Sequence, residues 1–351
     1  MGVERRRLSW LAGPLLVLVT GVVIAAFAEV TARVAWHLRT DFVAPERPEE
    51  WRDLPVIKGL FEASKANVRG LYNGTLYETN SAGFVGPNRL RRRTRGTYRI
   101  AVVGDSVTMG SGVLYEDTYS ARLEATADSS QQYAGRKAEV LNFGLAGLSA
   151  RWVVRRTEAL GLQYNPDLIV YGYTLNDIEG NHYRRSVTRR YVNPTYYFDS
   201  QWYTLRFLGP WWNAAWGRLT SPAGSYRFEL EDNYFRNPPA WAEIETQFDR
   251  LSRIAERRGI CVVLLIHTHL YALGALHPFM PEYAAVAEAG RERGFHVVET
   301  YPYFKDLTAG DLWVNPRDPH PNARGHEIFF EALQDGLREM PKACWAANSQ
   351  S

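Results

Sequence analysis

Cysteine is nearly missing from this chain. Cys261 and Cys344 are the only two in 351 residues. Two thiols without a cluster of metal-ligating neighbours argue against a structural zinc site. Cys261 opens the apolar run Cys261-Val262-Val263-Leu264-Leu265-Ile266, where a lone buried thiol is the expected state; an exported chain would also permit a disulfide. Charge of one sign is equally scarce. A net +3 is too weak to imply nucleic acid as a partner. No Gly-rich phosphate loop of the P-loop type occurs, and nothing in the chain calls for a cofactor or a metal. What is present is ordinary for a folded protein: 46% hydrophobic and 23% charged residues, enough for one large core or two smaller ones. Aromatics are the exception, with 11 Trp and 20 Tyr.

The first 39 residues read as a segment apart. Arg5, Arg6 and Arg7 precede an apolar run from Leu11 to Ala28 that stops at Glu29. Roughly 18 apolar residues are just enough to cross a bilayer as a helix. Trp10 and Trp36 flank it, as interfacial aromatics do, and the arginines predict a cytoplasmic amino end with the rest of the chain outside. Ala26-Phe27-Ala28 offers the rival reading, a cleaved signal peptide. The tryptophans and the continuing pattern Val30, Val34, Ala35 favour the uncleaved anchor. Either reading exports the remainder.

Residues 40–97 form a polar juxtamembrane stretch with little periodicity. It holds a turn at Asn80-Ser81-Ala82-Gly83-Phe84 and a basic run, Arg89 to Arg95, read as a solvated loop or as a contact for anions. From Tyr98 the pattern alternates. Strands are expected at Arg99–Val103, Val140–Phe143, Leu168–Tyr171, Ile260–Ile266 and His296–Glu299, each nearly all apolar and so buried on both faces. Helices are expected at Asp117–Ala127, with Asp117 as N-cap, and at Ala150–Leu160, Ala240–Arg257, Pro281–Arg293 and Asn322–Arg338. This predicts an α/β fold: a mainly parallel five-stranded sheet with helices on both faces, spanning residues 98–340 and followed by a tail, 341–351. One insertion, 178–239, breaks the rhythm. Its aromatics are Tyr183, Tyr191, Tyr196, Tyr197, Phe198, Trp202, Tyr203, Phe207, Trp211, Trp212, Trp216, Tyr226 and Tyr234. It reads as a substrate platform for sugar rings or acyl chains, or as a small subdomain with an aromatic core.

Four segments at strand ends carry chemistry. Gly104-Asp105-Ser106 breaks the first strand, where open α/β sheets bind ligands. Asn142-Phe143-Gly144-Leu145-Ala146-Gly147 closes the second. Thr174-Leu175-Asn176-Asp177 closes the third. Asp318-Pro319-His320-Pro321-Asn322 precedes the last helix. A serine hydroxyl needs a base within hydrogen-bond reach, histidine suits neutral pH, and a carboxylate orients that base. Attack on a carbonyl develops an oxyanion that prearranged N–H donors must meet. Other residues have plainer readings. Gly144 allows a tight turn, Asp105 and Asp177 brace loops, and Ser149 caps the next helix rather than acting as a nucleophile. His267 and His269 line the cleft rather than bind metal. No Gly-x-Ser-x-Gly elbow surrounds Ser106, which counts against an α/β-hydrolase.

In order and position these four segments resemble the blocks of the SGNH hydrolases, the GDSL esterases and lipases. The resemblance implies a flavodoxin-like three-layer sandwich. It implies Ser106 as nucleophile, His320 as general base and Asp318 as orienting acid, with Ser106, Gly147 and Asn176 forming the oxyanion hole. Two positions depart from the pattern. Thr174 stands where the family has glycine, and Asp318 precedes His320 by two residues where the usual spacing is three. The implied activity is an exported serine esterase acting on an ester-bearing small molecule, lipid or glycan. It would be tied to the membrane by its N-terminal helix and need no cofactor. The alternatives are an O-acyltransferase acting on an envelope polysaccharide with the same triad, and a catalytically silent scaffold.

Overall fold

The apolar N-terminal run folds as one helix, α1 (Val3–Leu38), with Pro14 inside it. The computed structural model describes residues 3–38, 48–51, 53–57, 59–127, 133, 135–185, 202–205, 226–315 and 318–345. The chain divides into two compact units, one of Met1–Pro45 with Ser186–Tyr226, the other of Glu46–Arg185 with Arg227–Ser351. In the first unit, Gly13–Ala35 is long and apolar enough to cross a membrane. Glu29 does not end this helix. Its carboxylate accepts the backbone N–H groups of Tyr203 (2.8 Å) and Thr204 (3.0 Å) and the Thr204 hydroxyl (2.9 Å), and it pairs with Arg33 one turn on. A charge satisfied this fully costs the helix far less than a bare one. Of the aromatic segment, Tyr191, Tyr196, Tyr197, Phe198, Phe207, Trp211, Trp212 and Trp216 lie outside the described residues.

The second unit begins with structure that the polar stretch conceals. A short helix, α2 (Leu60–Ala63), leads to a hairpin of β1 (Arg69–Tyr72) and β2 (Thr75–Glu78). Ile57, Ala63 and Tyr77 form a small core with Met109, Leu145 and Ala146. The central sheet follows. Its strands are β3 (Thr97–Gly104), β4 (Lys137–Asn142), β5 (Leu168–Tyr173), β6 (Cys261–Ile266) and β7 (His296–Glu299), all parallel, in the order β4-β3-β5-β6-β7. This is the flavodoxin-like order, which reverses between β3 and β5 and leaves a crevice there. All eight residues of β3 and all six of β5 are buried.

Alternate side chains serve the two faces. Ile100, Val102, Val170 and Leu265 face one layer, in which α4 (Tyr119–Ala127) and α10 (Ala323–Arg338) contribute Leu123, Phe329 and Leu333. Tyr171 and Tyr173 face the other, where they meet Phe248 at 6.0 and 5.8 Å. Phe248 lies on α7 (Pro238–Arg258), beside α5 (Ala150–Ala159) and α8 (Met280–Glu292). Two shorter elements complete this layer and the next: α6 (Tyr226–Phe235), within the aromatic insertion, and α9 (Tyr301–Phe304). Tyr234 of α6 is buried and hydrogen-bonds Tyr173 at 2.7 Å, so at that residue the insertion serves the core.

Three sequence expectations are corrected. Helix α4 is capped by Thr118, whose hydroxyl accepts the Ala121 N–H at 3.2 Å; Asp117 ends a preceding 3-10 turn and pairs with Arg122. Ser149 occupies the N-cap position of α5 without a capping hydrogen bond from its side chain. Cys261 is not a lone thiol but is bonded to Cys344, with Cα atoms 5.7 Å apart. The reason is the path of the tail. After α10 the chain turns back, Trp345 packs on Tyr98 and Tyr133 (5.4 and 5.5 Å), and the Tyr98 hydroxyl donates to the Cys344 carbonyl at 2.9 Å. Cys344 is thereby laid against the first residue of β6. The bond closes a loop 83 residues apart in sequence. Replacing both cysteines by serine is expected to lower unfolding stability by about 2–5 kcal/mol in a denaturant titration; an unchanged midpoint and slope would show that the bond carries no constraint.

The basic run is only partly a solvated loop. Arg89 pairs with Glu124 and Arg93 with Asp167. The carbonyls of Leu90 and Arg91 accept from the guanidinium of Arg99, a buried residue of β3 that also meets Glu139 and the Tyr164 carbonyl.

Candidate active site

Strand β3 ends at Gly104, a position where a side chain would not fit. A Cβ would stand 2.1 Å from Thr108 Oγ1 and 2.6 Å from the Gly172 carbonyl. The next residue, Asp105, is wholly buried and caps the short helix α3 (Ser106–Met109) by accepting the Val107 N–H at 3.0 Å. Ser106 is thus the first residue of α3, at the carboxyl edge of the sheet. Asn142, the last residue of β4, holds this turn from the side. Its amide donates to the Thr108 carbonyl (2.7 Å) and to Ser120 (2.8 Å), and its carbonyl oxygen accepts the Gly144 N–H (2.9 Å). Gly144 is glycine because of close approach: a Cβ would lie 2.4 Å from the Met109 nitrogen.

The histidine arrives on a small antiparallel ladder that apolar patterning does not reveal. It joins β8 (Trp313–Asn315) to β9 (Asp318–Pro321). Asn322 follows and caps α10, accepting the N–H groups of Arg324 (3.0 Å) and Gly325 (3.1 Å). Its own amide donates back to the Asp311 and Trp313 carbonyls. His320 is therefore fixed from both sides. Its Nε2 lies 2.9 Å from Ser106 Oγ, and its Nδ1 meets Asp318 Oδ1 in a short contact. The shortened spacing is compatible with this contact because β9 is extended. Residues i and i+2 of a strand share a face, and Asp318 Oδ1 also accepts the His320 backbone N–H at 3.1 Å.

The electrostatics follow from these contacts. Burial alone would push the His320 imidazolium down. The hydrogen bond and charge of Asp318, with a smaller contribution from Asp105, outweigh it and raise its pKa above the ordinary histidine value. Burial raises Asp318, but the same bond and charge of His320 win and hold it below the usual carboxylate range. Asp105 is raised, chiefly by complete burial; the Val107 N–H, the His320 charge and the side chains of Thr174 and Asn176 oppose that rise.

Asn176 sits in the 3-10 turn Leu175–Ile178 after β5, and its side-chain carbonyl oxygen is buried without a hydrogen-bond partner. Its amide nitrogen carries two N–H donors. Gly147 is the exposed residue of an otherwise largely buried loop between β4 and α5, on the same edge, with φ +70°. It takes no part in the contacts among Ser106, His320 and Asp318. Thr174, in the family's glycine position, turns its hydroxyl to Asp105 Oδ1 (3.1 Å) and lies 3.4 Å from His267 Nδ1. Asp177 is buried and accepts the Tyr171 hydroxyl at 2.7 Å.

His267 is a core residue, packed between Tyr119 and Phe329 and pushed down to about 3 by burial and by His326. His269 is pushed down to about 4 by burial and by repulsion from His277 and His320. Among the described residues no group of three or more His, Cys, Asp or Glu could hold a metal ion. Gly172 is another tight packing point under the site. A Cβ there would meet Thr108 Oγ1 at 2.4 Å and both His267 and the Tyr119 hydroxyl at 2.6 Å. Gly172→Ala is expected to destabilise the fold by about 1–3 kcal/mol, read as a drop in thermal midpoint; a variant as stable as the parent would show that this layer yields freely.

No protein-family model matches the chain, and no curated protein matches it. Solved structures similar to it include three with low sequence identity. Axe2, an acetylxylan esterase from Geobacillus stearothermophilus, is 16% identical over 72% of this chain and 97% of its own, with TM-score 0.43. TesA is 14% identical over 68% and 98%, with TM-score 0.41. A protein from Desulfitobacterium hafniense DCB-2 assigned to the lipolytic G-D-S-L family gives 14%, 68%, 98% and 0.41.

Proposed function

We propose that this protein is a serine hydrolase of the SGNH type that cleaves carboxylic esters. The observation that carries the reading is the continuous contact from Asp318 through His320 to Ser106. In the proposed mechanism His320 Nε2 takes the Ser106 proton as Oγ attacks the ester carbonyl. Asp318 holds the Nδ1 proton and steadies the imidazolium. The oxyanion is met by the Ser106 N–H, the Gly147 N–H and the side-chain amide of Asn176. Collapse expels the alcohol with the proton from His320. Water, deprotonated by the same imidazole, then releases the acid.

The amino-terminal helix and its arginines support a membrane-anchored form with the catalytic unit outside the cytoplasm, and the disulfide fits that compartment. Transfer of the acyl group to a glycan hydroxyl uses the same acyl-enzyme, and the aromatic insertion favours it as the second reading. Labelling with a fluorophosphonate tests the core of the proposal. One adduct, mapped to the Ser106 peptide, is expected; an unlabelled protein would leave only the silent-scaffold reading.

A further inference from the structure

The strongest concentration of charge in the second unit lies far from Ser106. At the amino-terminal ends of the strands, about 25 Å along β3 from its carboxyl edge, a cavity of about 640 Å³ is lined by Arg92, Arg93, Arg95, Arg136, Arg257 and Arg258 against one carboxylate, Asp167. Asp167 is buried and already engaged. It pairs with Arg93, lies 3.8 Å from Arg136 and accepts the Arg99 N–H at 2.8 Å. Arg136 is further held over the Tyr98 ring at 4.7 Å and donates to the Trp345 carbonyl at 2.7 Å. These three groups make a rigid floor.

The rim is different. Arg92, Arg95, Arg257 and Arg258 are exposed, and among the described residues no carboxylate pairs with any of them. Elsewhere in this unit arginines find acids, as Arg151 does Glu243, Arg250 Glu158 and Arg293 Asp249. The whole chain carries only +3, so six arginines against one aspartate put more positive charge in this cavity than the molecule has in excess. Like charges gathered in a concave wall repel one another and focus a positive field outward. An anion with several charges relieves both.

We propose that this cavity docks an anionic polymer, a chain bearing repeated carboxylate, phosphate or sulfate groups. Four rim guanidiniums around one opening suit several acceptors spaced along a chain better than one small anion, since each fork can take an acceptor pair. A lipid headgroup carrying a single phosphate would leave most of this rim unmatched. Taken with the proposed esterase, on which this consequence alone rests, docking would tether a long ester-bearing polyanion to the unit that carries Ser106, and segments long enough to span the sheet would reach it at raised effective concentration.

The test uses the full-length protein in neutral detergent, titrated calorimetrically with dextran sulfate, neutral dextran and glycerol 3-phosphate. Dextran sulfate is expected to bind and neutral dextran not to. The Arg257→Gln/Arg258→Gln variant should bind dextran sulfate about tenfold more weakly, with a shallower dependence on salt. Arg291→Gln/Arg338→Gln, which removes the same charge elsewhere, should match the parent. No binding, an equal loss in the control variant, or glycerol 3-phosphate binding as tightly as the polymer would overturn the proposal. Turnover of a small neutral ester, unchanged in Arg257→Gln/Arg258→Gln, is read separately: its absence in the parent counts against the esterase alone.

Discussion

Ser106→Ala is expected to lower kcat for short acyl esters by about 10⁴–10⁶-fold while leaving the fold intact. The two halves of that expectation come from different contacts. The hydroxyl has one strong partner, His320 Nε2 at 2.9 Å, and a marginal one, Asp105 at 3.5 Å. Neither holds α3 in place, because the cap of that helix is Asp105 through the Val107 N–H. The turn is secured from the side by Asn142. Removing one oxygen therefore deletes the nucleophile without loosening its support. Any residual rate comes from binding and from the oxyanion donors, which the substitution leaves in place. The measurement is steady-state hydrolysis of a p-nitrophenyl ester, with circular dichroism to establish folding. A folded Ser106→Ala protein turning over ester at the parent rate would sink the reading and turn attention to Ser149, a second serine near this edge.

The sheet was legible in the sequence for a physical reason. A strand buried on both faces must be apolar at consecutive positions, so Ile100–Val103, Leu168–Tyr171 and Val262–Ile266 announce themselves. The elements that hold the site together obey no such period. Strand β9 is Asp-Pro-His-Pro, and β8 is three half-buried residues; their pairing is set by turn and capping bonds, not by a hydrophobic face. The hairpin of β1 and β2 is likewise short and mostly half-exposed. The Cys261–Cys344 bond depends on where Trp345 packs, which no local pattern encodes. Ser106 and Asn176 were readable as candidates because they follow the ends of buried strands, β3 and β5. How Asp318 and His320 could touch across one intervening proline was not, since the answer lay in the extended backbone of an unrecognised strand. Thr174 is similar. Its substitution for glycine looks disruptive in the sequence, yet the structure gives its hydroxyl a buried acceptor, Asp105.

The second large effect concerns that same aspartate–histidine contact. Asp318→Asn is expected to cost about 10⁴-fold in kcat, the scale seen when a triad carboxylate loses its charge and the imidazole its tautomer. The same substitution should also move the pH profile. Only neutral His320 can accept the Ser106 proton, so activity falls as pH drops through its pKa in the free enzyme, which Asp318 holds above the ordinary histidine value. Removing that charge leaves burial as the dominant influence, and burial favours the neutral ring. The acid limb of kcat/KM should therefore shift to lower pH even as the plateau collapses. Stability should respond in the matching sense. With its folded pKa raised, His320 stabilises the parent fully below its unfolded pKa, and that contribution is lost as pH rises through the folded value. Asp318→Asn should accordingly cost more stability at pH 5.5 than at pH 9. The parent loses part of its advantage on its own at still lower pH, where Asp318, held below the usual carboxylate range, finally protonates. A merely structural aspartate would lower the rate without displacing the acid limb. An unshifted limb in a folded Asp318→Asn protein would therefore mean that something other than this carboxylate sets the basicity of His320.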